Sequence, residues 1–359
     1  MELTELLGLT VKYKASDLHL SPDSSPVLRI DGELKKLEDL PRLSSDEIRK
    51  LLLPSMSKMQ QDLFEKDLQL DCSVSIPNLA NFRVNLYHQS LGVAAAIRYI
   101  PETPPTLEDL QMPPVFKRLL GLSRGLILVT GHTGSGKSTT LAAMVNHINS
   151  EQALHIITIE DPIEFVHHSK KSLISQRQVY RDTRSFNDAL RAALREDPDV
   201  ILVGEMRDLE TVRLALTAAE TGHLVMATLH TSTAPRTVNR IVDVFPEGEK
   251  NLIRNMFSES LQAVICQNLV QKIGGGRTAV FEIMLGTTAI RNLIREGKIG
   301  SMVSTIQTGS QFGMCTFEQY LQQLVKNNVV SLEAAQQIAT DRDLFAHEIT
   351  GGSHQGTSK

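Results

Sequence analysis

A chain of 359 residues is long enough for two or three domains, each able to bury a sizeable core. Its 37 Lys and Arg nearly balance its 41 Asp and Glu, leaving a formal charge of -4, so nothing global recommends nucleic acid as the main partner. Cys72, Cys266 and Cys315 lie far apart with no C-x-x-C spacing, which argues against a zinc knuckle or a disulfide framework and favours a reduced, cytoplasmic protein.

Residues 1–13 are too acidic and polar for a signal peptide, and no apolar run reaches the roughly 18 residues of a membrane span. Leu3, Leu6, Leu7 and Val11 predict a short amphipathic helix. Residues 17–20 and 27–30 alternate like strands, and Asp31-Gly32 is a tight-turn signal after the second. Residues 44–64 carry helical spacing, with Ser44 as cap and Glu47 closing a capping box. Strand candidates at 82–87 and 93–99 complete a small α+β domain over residues 1–100.

Prolines at 101, 104, 105, 113 and 114 make residues 101–115 an interdomain linker. Beyond it, apolar runs at 126–129, 156–159, 200–203 and 224–227 alternate with helix-compatible stretches, the pattern of a mostly parallel α/β sheet over 116–285. Residues 286–345 read as a helical subdomain and 346–359 as a disordered polar tail.

The first apolar run feeds directly into Gly131-His132-Thr133-Gly134-Ser135-Gly136-Lys137-Ser138, a P-loop with strand before and helix after. Its glycines let the backbone curl so that N–H groups face phosphates at a helix N-terminus. Thr133, Gly134, Ser135, Gly136 and Thr139 join Gly131 and Lys137 in the expected cradle, and Ser138 is the expected Mg²⁺ ligand. The chain is expected to bind a nucleoside triphosphate.

Three further groups are candidates for the chemistry. Glu205 ends the stretch 199–205, a buried strand in sequence, where a carboxylate can meet Mg²⁺, directly or through water; the plain alternative is a strand that happens to end in an acid. Glu164 closes the cluster Glu160-Asp161-Pro162-Ile163-Glu164 after the run 156–159 and is the candidate for positioning or deprotonating water. Spacing alone leaves a solvated proline turn equally open. His230 and His223 bracket the run 224–227, the first of them placed to sense a γ-phosphate. Arginines at 83, 98, 124, 177, 181, 191, 195, 207 and 213 surround these segments, and spacing does not single out an arginine finger among them.

Residues 131–138, 158–164, 199–205 and 222–230, in that order, closely resemble the Walker A, Asp box, Walker B and His box of the secretion and type IV pilus ATPase superfamily. The likeness is strongest to its PilT family of pilus-retraction (twitching motility) ATPases, since Ala289-Ile290-Arg291-Asn292-Leu293-Ile294-Arg295-Glu296 looks like that family's C-terminal motif. The four-cysteine zinc insertion of the extension and type II secretion relatives has no counterpart here. Phe317-Glu318 departs from the Leu-Asp usual in retraction ATPases, and the tail is longer.

The resemblance implies a PAS-like N-terminal domain followed by a RecA-like motor domain, assembled as a cytoplasmic homohexamer that holds ATP and Mg²⁺ between subunits. It implies catalytic roles for Glu164, Glu205 and His230, and contacts from Arg83 and Arg98 to a neighbour's ATP. It also implies an inner-membrane pilus platform protein as partner, with an accessory retraction ATPase as a second. The alternatives are that the chain is itself such an accessory ATPase, of the PilU kind, a nucleic-acid translocase, or a switch module without useful turnover. The near-neutral charge argues against the translocase, and the presence of both glutamates against the switch.

Overall fold

The computed structural model describes residues 2–30, 33–77, 79–100, 103–339 and 345. The Asp31-Gly32 turn, the first two linker positions and the tail from 346 lie outside the described residues. The chain forms two compact units, neither of them contiguous: one takes residues up to Pro104 together with His155–Glu196, the other Pro105–Leu154 and the chain from Asp197 onward.

The first unit opens with helix α1 (Leu3–Lys12) and strands β1 (Asp17–Leu20), β2 (Val27–Ile30) and β3 (Glu33–Lys36). Helices α2 (Ser45–Leu52) and α3 (Lys58–Asp67) follow, then β4 (Gln69–Ile76), β5 (Ala80–Gln89) and β6 (Gly92–Ile100). Ser44 and Glu47 form the expected capping box. The helix predicted over 44–64 is broken, because Pro54 lacks an N–H and turns residues 53–55 into a 3₁₀ segment before Ser57 caps α3 afresh.

The six strands pair in the order β3-β2-β1-β6-β5-β4, antiparallel throughout. Alternation decides their faces: Ala80, Phe82, Val84 and Leu86 of β5 are buried, their neighbours less so. These side chains share one core with Leu6 and Leu7 of α1, Ile48 and Leu52 of α2 and Phe64 of α3.

In chain order come α4 (Val115–Leu120), β7 (Gly125–Thr130) and α5 (Lys137–Glu151) of the second unit. The chain then supplies β8 (His155–Glu160), β9 (Leu173–Gln178) and α6 (Phe186–Ala193) to the first unit, where β8 and β9 pair in parallel.

The rest of the second unit is β10 (Val200–Val203), α7 (Leu209–Glu220), β11 (Leu224–Leu229), α8 (Ala234–Asp243), α9 (Lys250–Ser260), β12 (Leu261–Gln271) and β13 (Arg277–Leu285). It ends with α10 (Thr288–Arg295), α11 (Met302–Gln307), α12 (Phe317–Lys326) and α13 (Leu332–Ile338), the helical stretch expected after 286.

Within this unit the strands run β13-β12-β7-β11-β10. β12, β7, β11 and β10 are parallel, and β13 returns antiparallel to β12. Every residue of β7, β10 and β11 is buried, which is what parallel strands covered on both faces require and why their sequences are apolar without alternation. The hairpin of β12 and β13 is absent from the strands read in the sequence. The parallel order brings the C-terminal ends of β7, β10 and β11 to one edge, where their loops can build a site.

Candidate active site

The P-loop leaves the C-terminal end of β7, the centre of the unit's sheet, and runs into α5. Gly131 has φ +145° and Gly136 φ +89°, both in the region that favours glycine. Space closes both positions as firmly as conformation does: a Cβ on Gly131 would stand 2.4 Å from the Gln267 carbonyl oxygen, and one on Gly136 would stand 2.8 Å from the Gln267 amide nitrogen.

No side chain caps α5, so its first N–H groups are left for an anionic ligand. Lys137 Nζ donates to the carbonyls of Gly131 (2.8 Å) and His132 (3.0 Å), folding the ammonium back over its own loop. Ser135 is fully buried, and its Oγ has no hydrogen-bond partner among the described residues. A buried hydroxyl left so costs free energy that a bound phosphate oxygen can relieve. Curled glycines, an uncapped helix, an ammonium held by loop carbonyls and an orphaned hydroxyl together fit a nucleotide's phosphates. Ser138 and Thr139, half-buried in the first turn of α5, complete the stretch expected of the cradle.

Glu205 follows β10 by two residues and is flanked by two bases: Arg207 lies 2.7 Å from its Oε2 and His230 Nε2 lies 3.2 Å from its Oε1. Partial burial pushes this carboxyl up, but Arg207 and His230 together outweigh that and hold it below the usual glutamate range. Glu205 is therefore an ionised acceptor, suited to orienting water or a hydrated cation. Parallel pairing of β10 with β11 explains why residues 25 apart in sequence meet. The Thr228 hydroxyl donates to Gly204 O, and Met206 N–H donates to Thr228 O at 3.1 Å, which ties the loop carrying Glu205 to the end of β11. Among the described residues no three His, Cys, Asp or Glu side chains form a metal-ligating group. The donors suited to Mg²⁺ are the Ser138 hydroxyl and Glu205.

His223 does different work: its Nδ1 lies 3.0 Å from Ala218 O, at the C-terminal end of α7. Of the second unit's arginines, Arg213 pairs with Glu249 and stacks 5.1 Å over Phe245, whereas Arg207 pairs with the candidate acid Glu205.

The first unit holds Glu164 and most of the remaining arginines. Glu164 Oε1 accepts from Arg83 at 2.7 Å, and the same guanidinium grips Asp71 with its Nε and a terminal nitrogen. Arg98 donates to Asp17 at 2.9 Å, Arg177 to Glu196 at 2.9 Å and Arg181 to Asp182. At Glu160, the half-buried last residue of β8, desolvation pushes the carboxyl up to about 7 against hydrogen bonds from Thr158 and Gln176. Asp71 and Arg207 are the contributors whose roles sequence reading did not assign. Asp71 sits inside the alternating run Leu70-Cys72-Val74, the one signal that a strand was there.

The family model for Type II/IV secretion system proteins matches residues 2–340. The chain belongs to that family. Among other members, the type IV pilus retraction ATPase PilT of Pseudomonas aeruginosa is 55% identical over 339 residues, covering 94% of this chain and 98% of that protein. The type IV pilus ATPase PilU of the same organism is 37% identical over 336 residues, 93% of this chain and 88% of that one. The crystal structure of the pilus retraction motor PilT with bound ADP superposes with a TM-score of 0.86 at 47% identity, covering 96% of this chain and 98% of that chain.

Proposed function

We propose that this chain is the ATP-hydrolysing motor that powers type IV pilus retraction, the PilT role. The observation that carries the reading is a complete P-loop, with Glu205 and His230 paired at the neighbouring strand ends, in a chain that matches PilT over nearly its whole length. The difference between 55% identity to PilT and 37% to PilU favours the principal motor over the accessory one.

In this reading Lys137 leaves the carbonyls of Gly131 and His132 for the β- and γ-phosphates, while the N–H groups at the start of α5 hold the phosphate chain. Arg83 and Arg98 reach a neighbouring subunit's ATP. Ser138, and Glu205 through water, would hold Mg²⁺, which would supply charge neutralisation at the phosphates. Glu205, ionised between Arg207 and His230, orients water, and Glu164 is the group that positions or deprotonates the attacking molecule. His230, touching Glu205, senses whether the γ-phosphate is present.

The assembly we infer is a homohexamer with ATP held between subunits. Each subunit pairs a PAS-like N-terminal domain (1–100) with a RecA-like core (116–285) and a helical subdomain (286–345). Nucleotide-dependent rotation about the linker 101–115 would drive an inner-membrane platform protein, with an accessory retraction ATPase as a second partner. The ring works in the cytoplasm against the inner membrane, and none of the described helices is long and apolar enough to cross it. Light scattering combined with steady-state Mg²⁺-ATPase assays tests this: a hexamer whose turnover disappears in Lys137→Ala agrees, and a monomer that binds ATP without turnover overturns it.

A further inference from the structure

β12 pairs in parallel with β7 in a register that sets Cys266 beside Thr130, the last residue before the P-loop, and the Thr130 hydroxyl donates to Cys266 Sγ at 3.0 Å. One residue further along, Gln267 comes level with the loop itself. The residue is only 4% exposed, a placement that needs both ends of the amide satisfied. Both are: Nε2 donates to Ser135 O at 2.8 Å, and Oε1 accepts from the Thr140 hydroxyl at 2.7 Å.

From this geometry we infer that Gln267 is a positioning residue of the nucleotide site, an inference that rests on the ATP-binding reading above. Ser135 C=O and Gly136 N–H belong to one trans peptide and point in opposite directions. Anchoring the carbonyl toward β12 therefore turns the Gly136 N–H away from β12, toward the open side of the loop where phosphates bind. The bond from Thr140 fixes which end of the amide faces the loop, because a flipped amide would set its NH₂ against the hydroxyl and its oxygen against the Ser135 carbonyl. Gln267 also explains both glycines that flank the loop, since its main-chain oxygen fills the space a Gly131 side chain would need and its amide nitrogen fills that at Gly136. The loop is thus shaped from behind by a strand remote in sequence.

The test uses the full-length protein with two replacements, thermal melts and a fluorescent ADP analogue. Gln267→Met keeps the volume and removes both bonds; Gln267→Glu keeps an acceptor for Thr140 and sets an oxygen against Ser135 O. Both variants are expected to bind the analogue about tenfold or more weakly, the scale for breaking a buried pair, and to raise KM for ATP while kcat stays within about threefold. Thr140→Val, which removes the bond that orients the amide but leaves the Ser135 bond in place, is expected to weaken binding less than either Gln267 variant.

A merely structural Gln267 would lower the melting temperature of the nucleotide-free protein and leave the rise on adding ADP unchanged; that result overturns the inference. So does wild-type affinity in Gln267→Glu. Should Gln267→Met fail to fold, Gln267→Glu and Thr140→Val decide by the same criterion. If wild type itself binds no analogue, the ATP-binding reading has failed; if wild type binds and both variants match it, only the role of Gln267 has.

Discussion

Arg83 Nη1 stands 2.7 Å from Glu164 Oε1 while the rest of its guanidinium is locked onto Asp71, so two residues 81 apart in sequence form one ion triad in the first unit. Arg83 is a single fork shared between a structural acid and the candidate catalytic one. Its bond to Asp71 is the largest influence on it, and the surrounding carboxylates keep it firmly protonated.

The triad predicts graded kinetics. Glu164→Gln should lower kcat by about a hundredfold or more with KM for ATP little changed, the range for losing a general base. Arg83→Lys keeps the charge but not the fork and should cost less than Glu164→Gln; steady-state assays on both decide it. Full activity in Glu164→Gln would remove that residue from the chemistry.

Glu205 predicts a different signature. Glu205→Gln keeps the shape but not the charge between Arg207 and His230, and should bind ATP as wild type does while turnover falls by about a hundredfold or more. Single-turnover assays separate the two quantities. Equal loss of binding and turnover would place Glu205 in nucleotide retention instead.

Gly131→Ala should abolish nucleotide binding, since its Cβ would lie 2.4 Å from Gln267 O and 2.5 Å from Ser135 Oγ, both in the buried floor of the loop. Fluorescent-nucleotide titration reads this directly. Retained affinity would mean the loop is far more yielding than its packing shows.

Glu282 gives a pH prediction. It lies on β13, is 5% exposed, and accepts the Ala234 N–H that opens α8 at 2.6 Å, four residues after His230. Burial pushes its carboxyl up to about 7, the Ala234 bond opposing and the charge of Glu318 assisting. The folded state thus holds the proton more tightly than the unfolded chain, whose carboxyl titrates near 4.5, and stability falls as pH rises through that window. Glu282→Gln keeps the acceptor for Ala234 and removes the charge. Denaturant melts should show the variant gaining on wild type from about pH 5 to pH 8, by up to about 3 kcal/mol. Parallel curves would contradict the assignment, and the comparison cancels the similar pull of Glu160.

What the sequence made legible follows from range. Residues 200–203 read as a buried strand because four apolar residues precede an acid, and the structure places β10 there. The P-loop was legible because its glycines, Lys137 and Ser138 are contiguous. Pro54 announced a break that the helical spacing on both sides concealed. β12 and β13 were passed over because polar residues interrupt their apolar runs, and Gln267 went with them: nothing local sets it apart from Gln262, Asn268 and Gln271 of the same strand, and its purpose shows only when the register with β7 sets it behind the loop. The Arg83–Glu164 bond likewise has no local signal, since pairing of β5 and the loop after β8 is decided by tertiary packing.

The most direct measurement of the central claim is complementation of a piliated host that lacks its own retraction ATPase. The account predicts that the wild-type chain restores twitching and removes surplus surface pili, while Lys137→Ala and Glu205→Gln do neither. Restoration by Lys137→Ala, or failure of the wild type to restore twitching at normal expression, would contradict a retraction motor driven by ATP hydrolysis at this site.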